Sequence, residues 1–200
     1  MLSNFFGFLF RPQHQWQVVG AMPEKQFNRN LPYTLILAAL PAVAWYLGTT
    51  RIGWGIGGDD SNIRISTDSA LSLAGAFYVT MVISVSIIGF FIHWMSHTYG
   101  AKSSPMKGVI IAGFVATPVF IAGVAGAYPI LWLDLILGTA AICYAIYSLY
   151  VGIPIAMKIP KDRGFLFASA VIAVALVICI SIMGVTVIFW EFIAEPEFIR

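Results

Sequence analysis

Charge is scarce in this chain. Asp, Glu, Lys and Arg make up only 10% of its 200 residues, and 60% are apolar. A water-soluble domain carries about 25% charged residues and under half apolar ones, so the shortage excludes such a domain and makes lipid the solvent for most side chains. With a net charge of only +2, the chain has no clustered basic face of the kind nucleic acid requires. Cysteine is nearly missing. Cys143 and Cys179 both lie in apolar runs, too few for a disulfide framework and without metal-ligand spacing. Counted along their helices at about 1.5 Å per residue, their levels differ by roughly 10 Å. A disulfide tolerates a Cα separation of only ~7 Å, so both read as packing residues.

Catalytic apparatus is absent as well. There is no Ser/His/Asp arrangement, no nucleophile elbow, no pair of carboxylates inside an apolar stretch and no metalloprotease signature. The reading is of a non-enzyme with no cofactor. A cleaved leader is not expected either: the apolar stretch from Phe5 to Phe10 is short and no Lys or Arg precedes it, so the first long span is expected to act as an uncleaved signal.

Long hydrophobic runs are what the chain does have. A helix needs roughly 20 mostly apolar residues to cross ~30 Å of hydrocarbon. Five segments, 31–48, 70–95, 108–127, 130–157 and 165–193, meet that need. The expected fold is all-α: a polytopic membrane protein with a five-helix transmembrane domain over 31–193, an N-terminal segment over 1–30 and a tail over 194–200. Positive charge orients it. Arg11, Lys25, Arg29, Lys102, Lys107, Lys158, Lys161 and Arg163 fall on one side, and Arg51, Arg64 and Arg200 on the other. By the positive-inside rule, the N-terminus is cytoplasmic and the C-terminus outside.

Within the N-terminal segment, Phe5, Phe6, Phe8, Leu9 and Phe10 form a greasy patch ended by Arg11 and Pro12. Trp16, Val18, Val19 and Met22 suggest a short amphipathic helix stopped by Pro23. Such a segment suits the cytoplasmic interface, with its rings at headgroup depth. The longest connector, on the outer side, contains Gly53, Gly55, Gly57 and Gly58, then Asp59, Asp60 and Asn62. It lacks the Lys-Ser/Thr ending of a phosphate loop and the rest of an EF-hand, and reads as a solvated turn.

Few groups in the spans could carry chemistry. Asp134 lies about one turn into the fourth span, beside Trp132. It is the candidate for binding an ion or substrate, weighed against a carboxylate favoured by the positive end of its own helix. His93 and His97, four apart with Met95 between them, share one helix face and could touch a metal. They lack a third ligand in sequence, and with Trp94 and Tyr99 they also resemble an interfacial belt. Pro41, Pro118 and Pro154 lie within spans and each removes a backbone hydrogen bond. They mark bundle shape, or else a hinge. The third span is dense in small residues, among them Gly113, Thr117, Gly123 and Ala127, which favours close helix approach and a central position. Lys158, Lys161 and Arg163 could meet anionic headgroups.

Two stretches carry a resemblance. One is Arg-Pro-Gln-His-Gln-Trp-Gln-Val-Val from Arg11 to Val19, ahead of the first span. The other is Tyr147-Ser148-Leu149-Tyr150-Val151-Gly152-Ile153-Pro154 at the end of the fourth, with Met157 just after. Taken with the five spans, they resemble the Yip domain family, in particular its small bacterial inner-membrane members. The resemblance implies a five-helix bundle with a cytoplasmic N-terminus in the plasma membrane. It marks Tyr147, Tyr150, Gly152 and Pro154 as motif residues. Eukaryotic members of the family contact small GTPases through longer cytosolic regions; here that region spans only residues 1–30, so this property is not carried over. The expected role is membrane organisation or protein interaction, with the bilayer and a homo-oligomer or other membrane proteins as partners. The rival readings are a small transporter or channel using Asp134 and the kinked helices, and a metal-handling protein using His93 and His97.

Overall fold

A computed structural model describes residues 7–8, 11–53, 63–192 and 198–199. Phe5, Phe6, Leu9 and Phe10, the connector residues from Trp54 to Asn62, residues 193–197 and Arg200 lie outside the described residues. The helices are α1 (Pro12–Ala21), α2 (Glu24–Phe27), α3 (Leu31–Leu47), α4 (Thr67–Ser96), α5 (Pro105–Ala122), α6 (Leu131–Met157) and α7 (Lys161–Phe192). A 3-10 turn, Asn28–Asn30, runs α2 into α3. A second, Gly123–Ala127, extends α5.

Five of these helices are long and apolar enough to cross a membrane. Their starts are set by local chemistry. Ser66 Oγ accepts from the Ser69 N–H at 3.3 Å, and Ser104 Oγ accepts from the Lys107 N–H at 3.3 Å. Each satisfies one of the four donors that a helix start leaves free. Pro105 follows Ser104 at the first helical position, where its missing N–H costs nothing. Helix α7 begins at Lys161 rather than at 165, because the Gly164 N–H already bonds the Pro160 carbonyl at 2.9 Å. Hydropathy marks where a helix enters lipid, whereas hydrogen bonds mark where it starts.

Helix α5 is the hub, touching α3, α4 and α6. Its contact with α4 depends on glycine: a methyl at Gly108 would strike the Gly89 carbonyl, and one at Gly89 would strike the backbone of Val109. Close backbone approach of this kind takes over from hydrophobic driving force in lipid. Helix α7 is peripheral. It is held at its Lys161 end by Gly164, Phe167, Ala168 and Val171, and is mostly exposed from Leu176 to Ile188. At the far end, β1 (Arg64–Ile65) pairs antiparallel with β2 (Phe198–Ile199), tying the segment before α4 to the chain beyond α7.

The prolines lie inside continuous helices. Pro41 packs against Gly123 and Pro154 against Gly164, so two of the three fill space that a neighbouring glycine leaves open. Pro118 is buried in α5.

Candidate functional site at the Met157 end of α6

The last four turns of α6 receive both α1 and α7. Helix α1 runs parallel to α6, in step with it. The Tyr144 hydroxyl donates to the Phe8 carbonyl at 2.9 Å. Arg11, Pro12, Gln13 and His14 sit beside Tyr147. Trp16 lies on Gly152, and its Nε1–H donates to Ser148 Oγ at 3.1 Å. Gly20 abuts the Ile155 carbonyl. As the chain advances from Phe8 to Gly20, its partner on α6 advances from Tyr144 to Ile155.

Trp16, Val19 and Phe8 are 0%, 1% and 2% exposed. The helix anticipated around Trp16 therefore turns its ring into the bundle. The reason is polar as well as apolar: Ser148 offers the acceptor that a buried indole N–H needs. Gly152, one turn further on the same face, leaves room for the ring. Phe8 stacks on Phe114 at 4.6 Å and meets Trp16 edge-on at 5.1 Å. Tyr33 meets Phe114 edge-on at 5.4 Å. Such pairs contribute about 0.5–1.5 kcal/mol each beyond their area. The Thr117 hydroxyl donates to the Gly113 carbonyl at 3.2 Å, so its single hydrogen is committed and the Tyr33 hydroxyl is the donor in their 3.2 Å contact. Thr34 Oγ1, beside Gly113, is buried without a partner.

Two motif residues, Tyr150 and Pro154, face α7. The Tyr150 hydroxyl meets Ser169 Oγ at 3.0 Å, and its ring stacks on Phe165 at 5.0 Å. Pro154 packs on Gly164. Of the four motif residues, Tyr147 alone is exposed, at 47%. Helix α6 ends at Lys158, which takes the left-handed conformation at φ 55°.

Basic residues from separate segments gather near this end. Lys158, Lys161 and Arg163 are all exposed, and the Arg163 guanidinium rests against Gly100. The Lys107 ammonium lies 6.0 Å from the Phe27 ring centre and within electrostatic reach of Lys158 and Glu24. Sequence reading placed these charges on one side without bringing Lys107 and Lys158 together.

The other candidates stand apart from this junction. Asp134 is in the first turn of α6, at the opposite end, half-buried among exposed Leu131, Trp132, Leu133 and Leu135. Its backbone N–H bonds the Ile130 carbonyl at 3.0 Å. The rings of His93 and His97 are 5.8 Å apart and edge-on, and His93 Nδ1 is buried without a partner. Among the described residues, no three His, Cys, Asp or Glu come together as metal ligands. Cys143 and Cys179 are free and exposed on the outside of the bundle. Sequence reading placed Phe8 in an interfacial greasy patch and did not assign Ser148, Tyr144 or Phe114 a role. The available signal was the Ser148–Gly152 spacing of four, which sets an acceptor and a gap on one helix face.

Fold and junction together define a polytopic α-helical membrane protein whose N-terminal helix is docked on its fourth span. Residues 6–182 match the Yip1 domain, and the chain belongs to that family. It is 34% identical over 191 residues to inner membrane protein YohC of Escherichia coli strain K12, covering 96% of this chain and 97% of the relative. The same figures hold for YohC of Escherichia coli O6:H1 strain CFT073. No solved structure matches the chain. It is accordingly a multi-pass protein of the inner membrane.

Proposed function

We propose that this protein is a non-enzymatic membrane organiser or protein-interaction module, with its N-terminus and its Lys158 end in the cytoplasm. The observation that carries this reading is the gathering of Lys107, Lys158, Lys161 and Arg163 beside the junction where α1 and α7 meet α6. Three of the four motif residues there are committed to joining helices: Gly152 to Trp16, Tyr150 to Ser169 and Pro154 to Gly164. The exposed charges beside them are free to face anionic headgroups, at about 1 kcal/mol each near the surface, or an acidic face on a neighbouring membrane protein or a second copy.

The test uses vesicles containing phosphatidylglycerol. Energy transfer between labelled copies reports clustering, with Lys158→Glu, Lys161→Glu and Arg163→Glu combined as the comparison. Anionic lipid is expected to enhance clustering in the wild type, and charge reversal to abolish the enhancement. Solute or proton flux through the wild type that Asp134→Asn removes would overturn the reading in favour of a transporter.

A further inference from the structure

Lys107 stands where elementary electrostatics would not put a cation. It is in the first turn of α5, the end at which a helix carries partial positive charge and favours carboxylates. It is half-buried, and burial penalises a charged form. A second ammonium, that of Lys158, lies within electrostatic reach and repels it. An exposed lysine such as Lys102 satisfies the positive-inside rule equally well and carries none of these costs.

Lys158 is also placed at a cost. Its backbone takes φ 55°, a conformation for which a helix end ordinarily uses glycine. Two bonds across the end of α6 hold it there. The Lys158 N–H reaches the Ile155 carbonyl at 3.3 Å, and the Ile159 N–H reaches the Pro154 carbonyl at 3.1 Å.

Packing gathers the two lysines around α2. Gly20, near the end of α1, abuts the Ile155 carbonyl, three residues before Lys158. Helix α2 follows, and its buried Phe27 ring has its centre 6.0 Å from the Lys107 ammonium, close enough to attract a cation. Against two ammoniums, α2 brings a single carboxylate, that of Glu24. Among the described residues, neither lysine forms an ion pair, with Glu24 or with Asp162 of α7. An ammonium offers three donors and no acceptor. The complement of the pair is therefore an anion with several acceptor oxygens and more than one charge. A phosphomonoester meets both needs, with three terminal oxygens and a charge of about −1.5 to −2 at pH 7. A phosphodiester has a single charge and fewer free oxygens.

We propose that Lys107 and Lys158 together bind a phosphomonoester group, between the first turn of α5 and the end of α6. The pair belongs to the basic end on which the proposed role rests, and it adds a ligand preference to that role. Two sources present the group, the headgroup of phosphatidic acid and soluble phosphate.

Native mass spectrometry of the detergent-purified full chain measures the preference. The chain is titrated with phosphatidic acid and with phosphatidylglycerol of the same acyl chains, with and without excess inorganic phosphate. The wild type is expected to bind one phosphatidic acid about tenfold more tightly than phosphatidylglycerol, the size of one added charge-assisted contact. Lys107→Gln and Lys158→Gly are each expected to bring phosphatidic acid down to the level of phosphatidylglycerol. Lys161→Gln is expected to leave the preference intact. Lys158→Gly also relieves the left-handed turn, so it decides the matter if Lys107→Gln does not fold. Competition by inorganic phosphate supports the pair and assigns it to soluble phosphate, whereas binding that resists phosphate assigns it to the lipid. Equal affinity of the wild type for the two lipids would overturn the proposal. So would a preference that survives both substitutions, or one that Lys161→Gln removes as fully. Clustering driven by phosphatidylglycerol without a monoester preference sinks the pair and leaves the proposed role standing. A monoester preference without clustering does the reverse.

Discussion

The indole N–H of Trp16 donates to Ser148 Oγ at 3.1 Å, although 132 positions separate the two residues in the chain. The ring is wholly buried, so its polar and apolar contributions separate by substitution. Trp16→Phe keeps most of the ring volume and is expected to cost about 1 kcal/mol, the size of one net hydrogen bond. Trp16→Ala also leaves a cavity and is expected to cost about 3–5 kcal/mol. Thermal unfolding in detergent measures both. Losses of equal size would mean that the ring is not seated as described.

Gly152 is the floor on which that ring lies. Gly152→Ala places a methyl within the indole and is expected to destabilise by about 1–3 kcal/mol through overpacking. Combining it with Trp16→Leu should cost less than the two separate losses added together, because a smaller side chain tolerates the methyl. Strict additivity would show that the two positions do not touch.

The parallel register of α1 on α6 is open to cross-linking. With Cys143 and Cys179 replaced by alanine, Gly20→Cys with Ala156→Cys should cross-link under mild oxidation, since a Cβ at Gly20 would lie 3.5 Å from the Ala156 Cα, once the helices part by a few tenths of an ångström to relieve its 2.8 Å approach to the Ile155 carbonyl. Gln13→Cys with Ala156→Cys should not. The opposite pattern would reverse the direction of α1.

Lys158 adopts φ 55° and ψ 45° at the end of α6. A residue with a Cβ loses about 1–2 kcal/mol in that region, and glycine loses little. Lys158→Gly is therefore expected to raise the unfolding midpoint while weakening the clustering attributed to the basic end. A lower midpoint would show that the ammonium contributes more to stability than the backbone conformation costs.

Orientation is tested by membrane-impermeant thiol labelling of single cysteines in intact cells, again without Cys143 and Cys179. Cysteine at Lys161 is expected to be protected and cysteine at Arg64 to react. Labelling at Lys161 would invert the chain and contradict the excess of Lys and Arg near the α6–α7 turn.

Much of the architecture was legible in the sequence. The apolar runs are long and nearly charge-free, and hydropathy needs no tertiary information to place them in lipid. The crowded small residues of α5 pointed to its central position for the same reason: only small side chains let helices approach in lipid. The fate of Trp16 was not legible. Its helix has aromatic and polar residues suited equally to a membrane surface or to a docked face, and the deciding partner, Ser148, lies far along the chain. Likewise Tyr147 and Tyr150 stand three apart in one motif, yet the bundle leaves the first exposed and seats the second on Phe165. Periodicity gives a side chain's bearing around its own helix but does not say which neighbour stands there. Pro41 and Pro154 were legible as interruptions, but Gly123 and Gly164, the residues that receive them, were visible only in the packing.

The short ladder between Arg64–Ile65 and Phe198–Ile199 makes α7 a strut pinned at both ends. Between the pins, from Leu176 to Ile188, most of the helix stands clear of the chain. Acyl tails must fill the gap beside it, so its lean depends on the thickness and composition of the surrounding bilayer. Removing Phe198 and Ile199 would release one pin and leave a lever hinged at Gly164 and Phe167, free to swing wherever the lipid pressed it.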